Sequence, residues 1–273
     1  MNIIEQFSIG KRRGTPCEDG WVVTPDFAAV VDGSTAKIKI ASGQESPGHL
    51  AMRLVCEAIE NLPANTSMEE ALPILSRCIA DDSTYAANNY RPTCSAVIYS
   101  HSRKEVWFIG DCQARWNNQN YKYDKLVDRI LTDIRCRAIH YYLEHGYTEE
   151  DIRKEDKGRA FIFDALREQV YFQNDPNPYN PFRYPVIDGQ PIAPENVAVI
   201  PVGNANEIIL ASDGYPELFD SLDDTERHLQ ELLDKDPLCI KENPATKCLV
   251  TGNRSFDDRT YLRLEIRSEE NDF

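Results

Sequence analysis

The sequence predicts an α+β fold with packed sheets. Three observations carry that reading. Short runs rich in β-branched or aromatic residues open the chain, two amphipathic helical patterns follow, and further strand runs return in groups instead of alternating one for one with helices. A strict alternation would predict a doubly wound parallel sheet instead.

Strands are expected at 3–9, 20–24 and 27–31. Leu50, Leu54, Ala58, Ile59 and Leu62 recur at helical spacing, as do Ala71, Leu72, Leu75 and Ile79. Ser67 with Glu70 three residues on reads as a capping box for the second helix. Cys94–Tyr99 and Glu105–Ile109, parted by the polar residues 100–104, read as a hairpin. A polar segment at 117–124 leads into a helical region over 125–145 that ends at Gly146, and Thr148 starts another helix. Four prolines keep residues 173–185 irregular, a surface loop. Strands at 197–201 and 207–211, a helix near 223–235 and a strand at 260–266 complete the pattern. The reading is one domain over 1–267 with an insertion at about 117–185, then an acidic tail, 268–273.

Charge and cysteine usage exclude several classes. Asp plus Glu number 45 against 30 Lys plus Arg, a net charge of −15. An excess of that size repels polyphosphate backbones, so nucleic acid is not an expected partner. Met1–Gln6 lack the charged start and apolar core of a signal peptide, and apolar runs such as Phe27–Val31 are too short to span a bilayer. Eight cysteines are scattered without a CxxC pair, which argues against a zinc ribbon and for reduced, mostly buried thiols in a cytoplasmic protein. The five histidines form no metal-spaced pair.

What concentrates the chemistry is acidic. Glu18-Asp19-Gly20, Asp32-Gly33, Gly110-Asp111, Ser212-Asp213-Gly214 and Asp257-Asp258 each sit at a strand end or turn. Any one alone is an ordinary turn, because Asp bonds its own backbone and Gly accepts positive φ. Together, carboxylates at the ends of adjacent strands converge on one sheet edge, which is how hard divalent cations are held. Two such ions can activate a shared water and neutralise phosphate oxygens during in-line attack.

This ordered series resembles the motif set of the metal-dependent type 2C (PPM) protein phosphatases, over residues 7–266. Thr93-Cys94-Ser95-Ala96 before the Gly-Asp motif matches the family pattern as well. Leu131-Thr132-Asp133 with Gly146–Glu150 resembles the family's flap. The resemblance implies a four-layer αββα sandwich of two packed, mainly antiparallel sheets flanked by helices. It implies two Mn2+ or Mg2+ ions, with a third bound more weakly. Asp32 would bridge the two ions, Glu18 and the Gly33 carbonyl would complete one site, and Asp213 and Asp257 the other; Asp111 would help bind the third. A water between the first two ions would be the nucleophile. The implied partners are a phosphorylated protein substrate and a partner kinase, with neither nucleic acid nor membrane, and the protein would act as a monomer on phosphoserine or phosphothreonine.

The sequence also departs from the family. An arginine usually lies four residues before the motif glutamate and grips the substrate phosphate; here Gly14 stands there. Lys11, Arg12 and Arg13 are the nearby cations, and a one-residue bulge at Gly14 would return Arg13 to the family position. Asp111 is followed by Cys112-Gln113 where the family has Ser-Arg, and Cys112 reads as a buried strand-end thiol. Asp133-Ile134 replaces the flap's Asp-His. Within the last motif the resemblance makes Asp257 the ligand and Asp258 a position that accepts Asn. The alternative is a catalytically silent relative that keeps the site to bind metal or phosphoproteins.

Overall fold

In the computed structural model, which describes residues 1–86 and 90–266, the side-chain alternation along one strand sets the layers. β1 (Asn2–Ile9) and β2 (Asp19–Val23) precede β3 (Phe27–Gly33). In β3, Phe27, Ala29 and Val31 point to one face and Ala28 and Val30 to the other, and all five are fully buried. A strand apolar on both faces must be covered on both, and it is.

The first face packs on α1 (Pro47–Glu60) and α2 (Met68–Ala80) through Val55, Ile59, Leu72 and Leu75. Ser67 caps α2 in the reciprocal arrangement with Glu70 that the sequence predicts. The second face packs on another sheet, through Val97 and Phe108 against Leu210, Leu262 and Leu264.

The remaining strands are β4 (Cys94–Ser100), β5 (Glu105–Ile109), β6 (Gln113–Trp116), β7 (Gln119–Lys122), β8 (Ala198–Pro201), β9 (Glu207–Ala211) and β10 (Arg259–Glu265). They complete two five-stranded sheets of order β1-β10-β9-β6-β7 and β2-β3-β4-β5-β8, antiparallel throughout. Between β7 and β8 lie α3 (Leu126–Glu144), α4 (Glu149–Arg153), α5 (Lys157–Phe161) and α6 (Phe163–Glu168). After β9, α7 (Leu222–Lys235) covers the first sheet through Leu229 and Leu233. Helices, two antiparallel sheets and helices form the expected α+β sandwich.

One element departs from the sequence reading. Residues 117–124, expected as a polar connection, contain the turn and second strand of a hairpin, β6–β7. Asn117 and Asn118 both take positive φ (49° and 60°), as a two-residue hairpin turn requires, and Asn tolerates that region. β7 is a short polar edge strand, so it carries no apolar periodicity to read. The predicted acidic tail, 268–273, lies outside the described residues. Among the described residues no helix is long and apolar enough to cross a membrane. All eight cysteines are free thiols, four buried and four partly buried.

Candidate metal centre

Strand register brings the acidic motifs together. In the second sheet Asp19 pairs opposite Asp32, and Asp32 opposite Ser95. The Ser95 hydroxyl donates to Asp111 Oδ1 at 2.6 Å, so β2, β3, β4 and the turn after β5 each supply one polar group to the same edge. From the first sheet, Asp213 follows β9 and Asp257-Asp258 precede β10. Asp32 and Asp213, from opposite sheets, line the same pocket, and the Asp213 charge pushes Asp32 upward.

Glycines permit this convergence. A Cβ at Gly33 would run into the backbone carbonyls of Gly48 and Glu18, and one at Gly214 into the carbonyl of Asp258. Gly110, with φ +94°, lets the chain turn beneath Ser95 so that Asp111 faces the cluster.

The electrostatics show a deficit of positive charge. Burial, reinforced by the carboxylates of Asp19, Asp213 and Asp111, pushes Asp32 well above the usual carboxylate range. Burial, then Asp258, pushes Asp19 up to about 7, and burial with Asp111 raises Asp213. Asp19 Oδ2 is buried without a hydrogen-bond partner. Buried, mutually repelling carboxylate oxygens with an orphaned acceptor are a donor set suited to hard divalent cations such as Mg2+ or Mn2+.

Lysines fill part of that deficit. Lys11 Nζ lies 2.9 Å from Asp257 Oδ1, 3.7 Å from Asp258 and 3.9 Å from Glu18. Lys247 pairs with the other oxygen of Asp257. Lys125 Nζ lies 2.6 Å from Asp111 Oδ2. Burial raises Asp111, but Lys125 and Ser95 overrule it and leave the carboxyl below its usual range. Glu18 is oriented by Ser46, the N-cap of α1, whose hydroxyl donates to Oε1 at 2.6 Å.

Of the residues singled out from sequence, Glu18, Asp32, Gly33, Asp111, Asp213 and Asp257 come together. Arg13 does not. Gly14 has the positive φ (76°) expected of a kinked turn, yet Arg13 stays exposed, and the basic side chain that enters the site is Lys11. The turn is fixed from outside: Asp258 accepts from the backbone N–H groups of Lys11 (2.7 Å) and Glu18 (2.9 Å). That employs both oxygens of Asp258. Cys17, Asp19 and Asp258 also bring ligand atoms within 4.8 Å of one another. Asp258 is already engaged there, and burial pushes the Cys17 thiol up to about 11, so this trio is a poor cation site. Cys112 is buried as expected, and burial drives its thiol well above the normal range.

A cleft of about 350 Å3 opens over the cluster, lined by Asp111, Asp213 and Asp257 together with Lys125, Arg129 and Lys247. An inner pocket of about 100 Å3 adjoins it, reaching Asp32 and Gly33 and adding Lys37 and Arg159. Sequence reasoning missed Asp19 as a member of the cluster, although its motif was legible. It missed Lys37, Lys125, Arg159 and Lys247 as well, since only tertiary structure gathers them.

No sequence-family profile matches this chain, and no curated protein sequence does. Solved structures do. The serine/threonine phosphatase Stp1 from Staphylococcus aureus superposes with a TM-score of 0.53 at 12% identity, over 98% of this chain and 96% of that one. A bacterial serine phosphatase superposes with a TM-score of 0.50 at 11% identity, over 98% of this chain and 100% of that one. This chain has the type 2C phosphatase fold. At such identities the fold is what is shared. Within the type 2C fold of this chain, the acidic motifs meet at one end of the two sheets, α3 and residues 243–247 border the cleft above them, and Arg159 of α5 lines the inner pocket.

Proposed function

We propose that this chain is a divergent type 2C phosphatase that hydrolyses phosphate monoesters, above all phosphoserine and phosphothreonine in proteins. The observation that carries the reading is the convergence of carboxylates from five separate motifs, spanning Glu18 to Asp257, on one buried edge beside a basic cleft. Chance surface acids do not gather on a buried edge where the charges of Asp19, Asp213 and Asp111 all push Asp32 upward.

In this reading Asp32, Asp213 and Asp257 would hold one Mn2+ or Mg2+, and Asp32, Glu18 and the Gly33 carbonyl would hold a second. Asp111 belongs to a third, weaker site. Bound there, such ions supply Lewis-acid chemistry and an activated water. The chain's own groups do the rest. Ser46 orients Glu18, Ser95 orients Asp111, and Asp258 fixes the turn that carries Glu18. The lysines and arginines of the cleft attract a phosphate dianion to an edge whose own charge would repel it. The helices above the cleft serve as the flap. Free thiols fit a reducing compartment, and we place the protein in the cytoplasm, as a monomer acting on the product of a partner kinase.

The test is release of p-nitrophenol from p-nitrophenyl phosphate by the purified chain with Mn2+, before and after EDTA. Activity that needs Mn2+ and vanishes with EDTA is expected, and activity indifferent to chelation would reject the reading. One observation favours a second reading, a silent metal- or phosphoprotein-binding relative: Lys11, Lys125 and Lys247 already neutralise Asp257 and Asp111. Calorimetric Mn2+ binding without turnover would select it.

A further inference from the structure

The cations around the inner pocket and the acidic edge differ in their partners. Lys11, Lys125 and Lys247 are ion-paired with the acidic cluster. Lys37 and Arg159 are not: among the described residues neither forms an ion pair. Lys37 Nζ has only the Ser34 hydroxyl, at 3.5 Å. Arg159 donates through Nη1 to the Thr246 carbonyl (3.1 Å) and hydroxyl (3.4 Å), which leaves Nε and Nη2 without partners among the described residues. Both residues are partly buried and line the same inner pocket as Asp32, Asp213 and Asp257.

Lys37 and Arg159 line one small pocket with Asp32, Asp111, Asp128, Asp213 and Asp257, yet neither makes a direct ion pair there, so partly buried donors are left without part of their hydration. A protein retains such a pair at a cost in stability, and an anion placed between them relieves it. Arg offers a planar fork that matches two oxygens of a tetrahedral oxyanion, and Lys a mobile point charge for a third. The pocket, about 100 Å3, has room for about three waters, near the size of one phosphate group.

We propose that Lys37 and Arg159 form the subsite that holds the phosphoryl group, taking the role that sequence reasoning assigned to Arg13. The identity of the anion rests on the phosphatase reading above; the existence of the subsite does not. Lys37 lies in the loop after β3 and Arg159 in α5, so the subsite also joins the sandwich to the helices over the cleft.

The experiment is calorimetric titration of inorganic phosphate into the purified chain, with Mn2+ and again in EDTA, for wild type, Lys37→Gln, Arg159→Gln, Arg159→Lys and Arg13→Ala. Arg159 also anchors Thr246, so Lys37→Gln, which removes one weak contact, is the cleaner variant, and thermal melts confirm that each protein is folded. The expected result is phosphate binding weakened about tenfold or more by Lys37→Gln and Arg159→Gln, less by Arg159→Lys, and not by Arg13→Ala, with Mn2+ affinity unchanged in all. Phosphate affinity within twofold of wild type in Lys37→Gln and Arg159→Gln would overturn the subsite, even in an active phosphatase. So would a wild-type chain that binds Mn2+ but no phosphate. Conversely, binding that depends on Lys37 and Arg159 in a chain without Mn2+-supported turnover upholds the subsite and rejects the phosphatase reading.

Discussion

Asp258 closes the turn between β1 and β2 from the far end of the chain, accepting from Lys11 N–H with one carboxylate oxygen and from Glu18 N–H with the other. The resemblance to type 2C phosphatases makes this position tolerant of Asn; the two hydrogen bonds lead to the opposite prediction. Asn has one acceptor, so its amide NH2 would face a backbone donor and one buried N–H would lose its partner. Asp258→Asn should destabilise the chain by about 1–3 kcal/mol, read as a lower melting temperature of several degrees. It should impair turnover indirectly, through Glu18. A melting temperature equal to wild type would remove Asp258 from this role.

Asp32 illustrates the opposite balance. It sits among Asp19, Asp111 and Asp213, so without a cation its charge is a liability. In EDTA near pH 8, Asp32→Asn should melt higher than wild type, by about 1–2 kcal/mol or a few degrees. With Mn2+ the order should reverse, because only the wild type gains ligand-binding stability. A variant less stable than wild type in EDTA would mean that the Asp32 carboxylate stabilises the metal-free fold, against the repulsion described above.

These two residues also show how far the sequence could be read. Strands such as β3 announce themselves through continuous apolar runs, and the acidic motifs sit where those runs stop, so the edge on which they meet was legible. The register of Arg13 was not, because the turn it lies in is shaped by Asp258, some 240 residues away. Lys37, Arg159 and Lys247 carry no local signal, since a lysine in a polar segment looks like any solvated charge. Asp19 was visible as part of its motif, but its role depends on facing Asp32 across a strand pair.

Lys125 competes with any cation at Asp111. Its ammonium holds Oδ2 at 2.6 Å and reaches Asp128 at 3.8 Å. Lys125→Gln should therefore free Asp111 and tighten the weakest Mn2+ site about tenfold, ~1.4 kcal/mol, in a calorimetric titration. Unchanged or weaker Mn2+ binding would show that Asp111 is not a ligand position.

Behind the centre, Glu226 on α7 clamps Arg259, with both guanidinium bonds at 2.7 Å, and Tyr215 donates to the same carboxylate. Burial raises Glu226, but Arg259 and Tyr215 overrule it and hold the carboxyl below its usual range. A depressed folded-state pKa gives stability that is present above the unfolded value, about 4.3, and is lost as pH falls through the folded one. Glu226→Gln should cost about 1–3 kcal/mol at pH 7, a figure discounted because the Glu226 side chain is 30% exposed. The gap to wild type should shrink as pH is lowered toward 3. Urea unfolding across pH 3–7 measures it, and a gap independent of pH would contradict the assignment.

Above all, the proposal makes the acidic edge a working two-metal phosphatase centre with Asp32 common to both ions. Its most direct measurement is the Mn2+ dependence of p-nitrophenyl phosphate hydrolysis by wild type beside Asp32→Asn, each confirmed folded by its melting curve. Wild-type turnover should rise to saturation with Mn2+, with the variant at no more than a few per cent of it at every Mn2+ concentration. Asp32→Asn turning over at a rate comparable to wild type would contradict it.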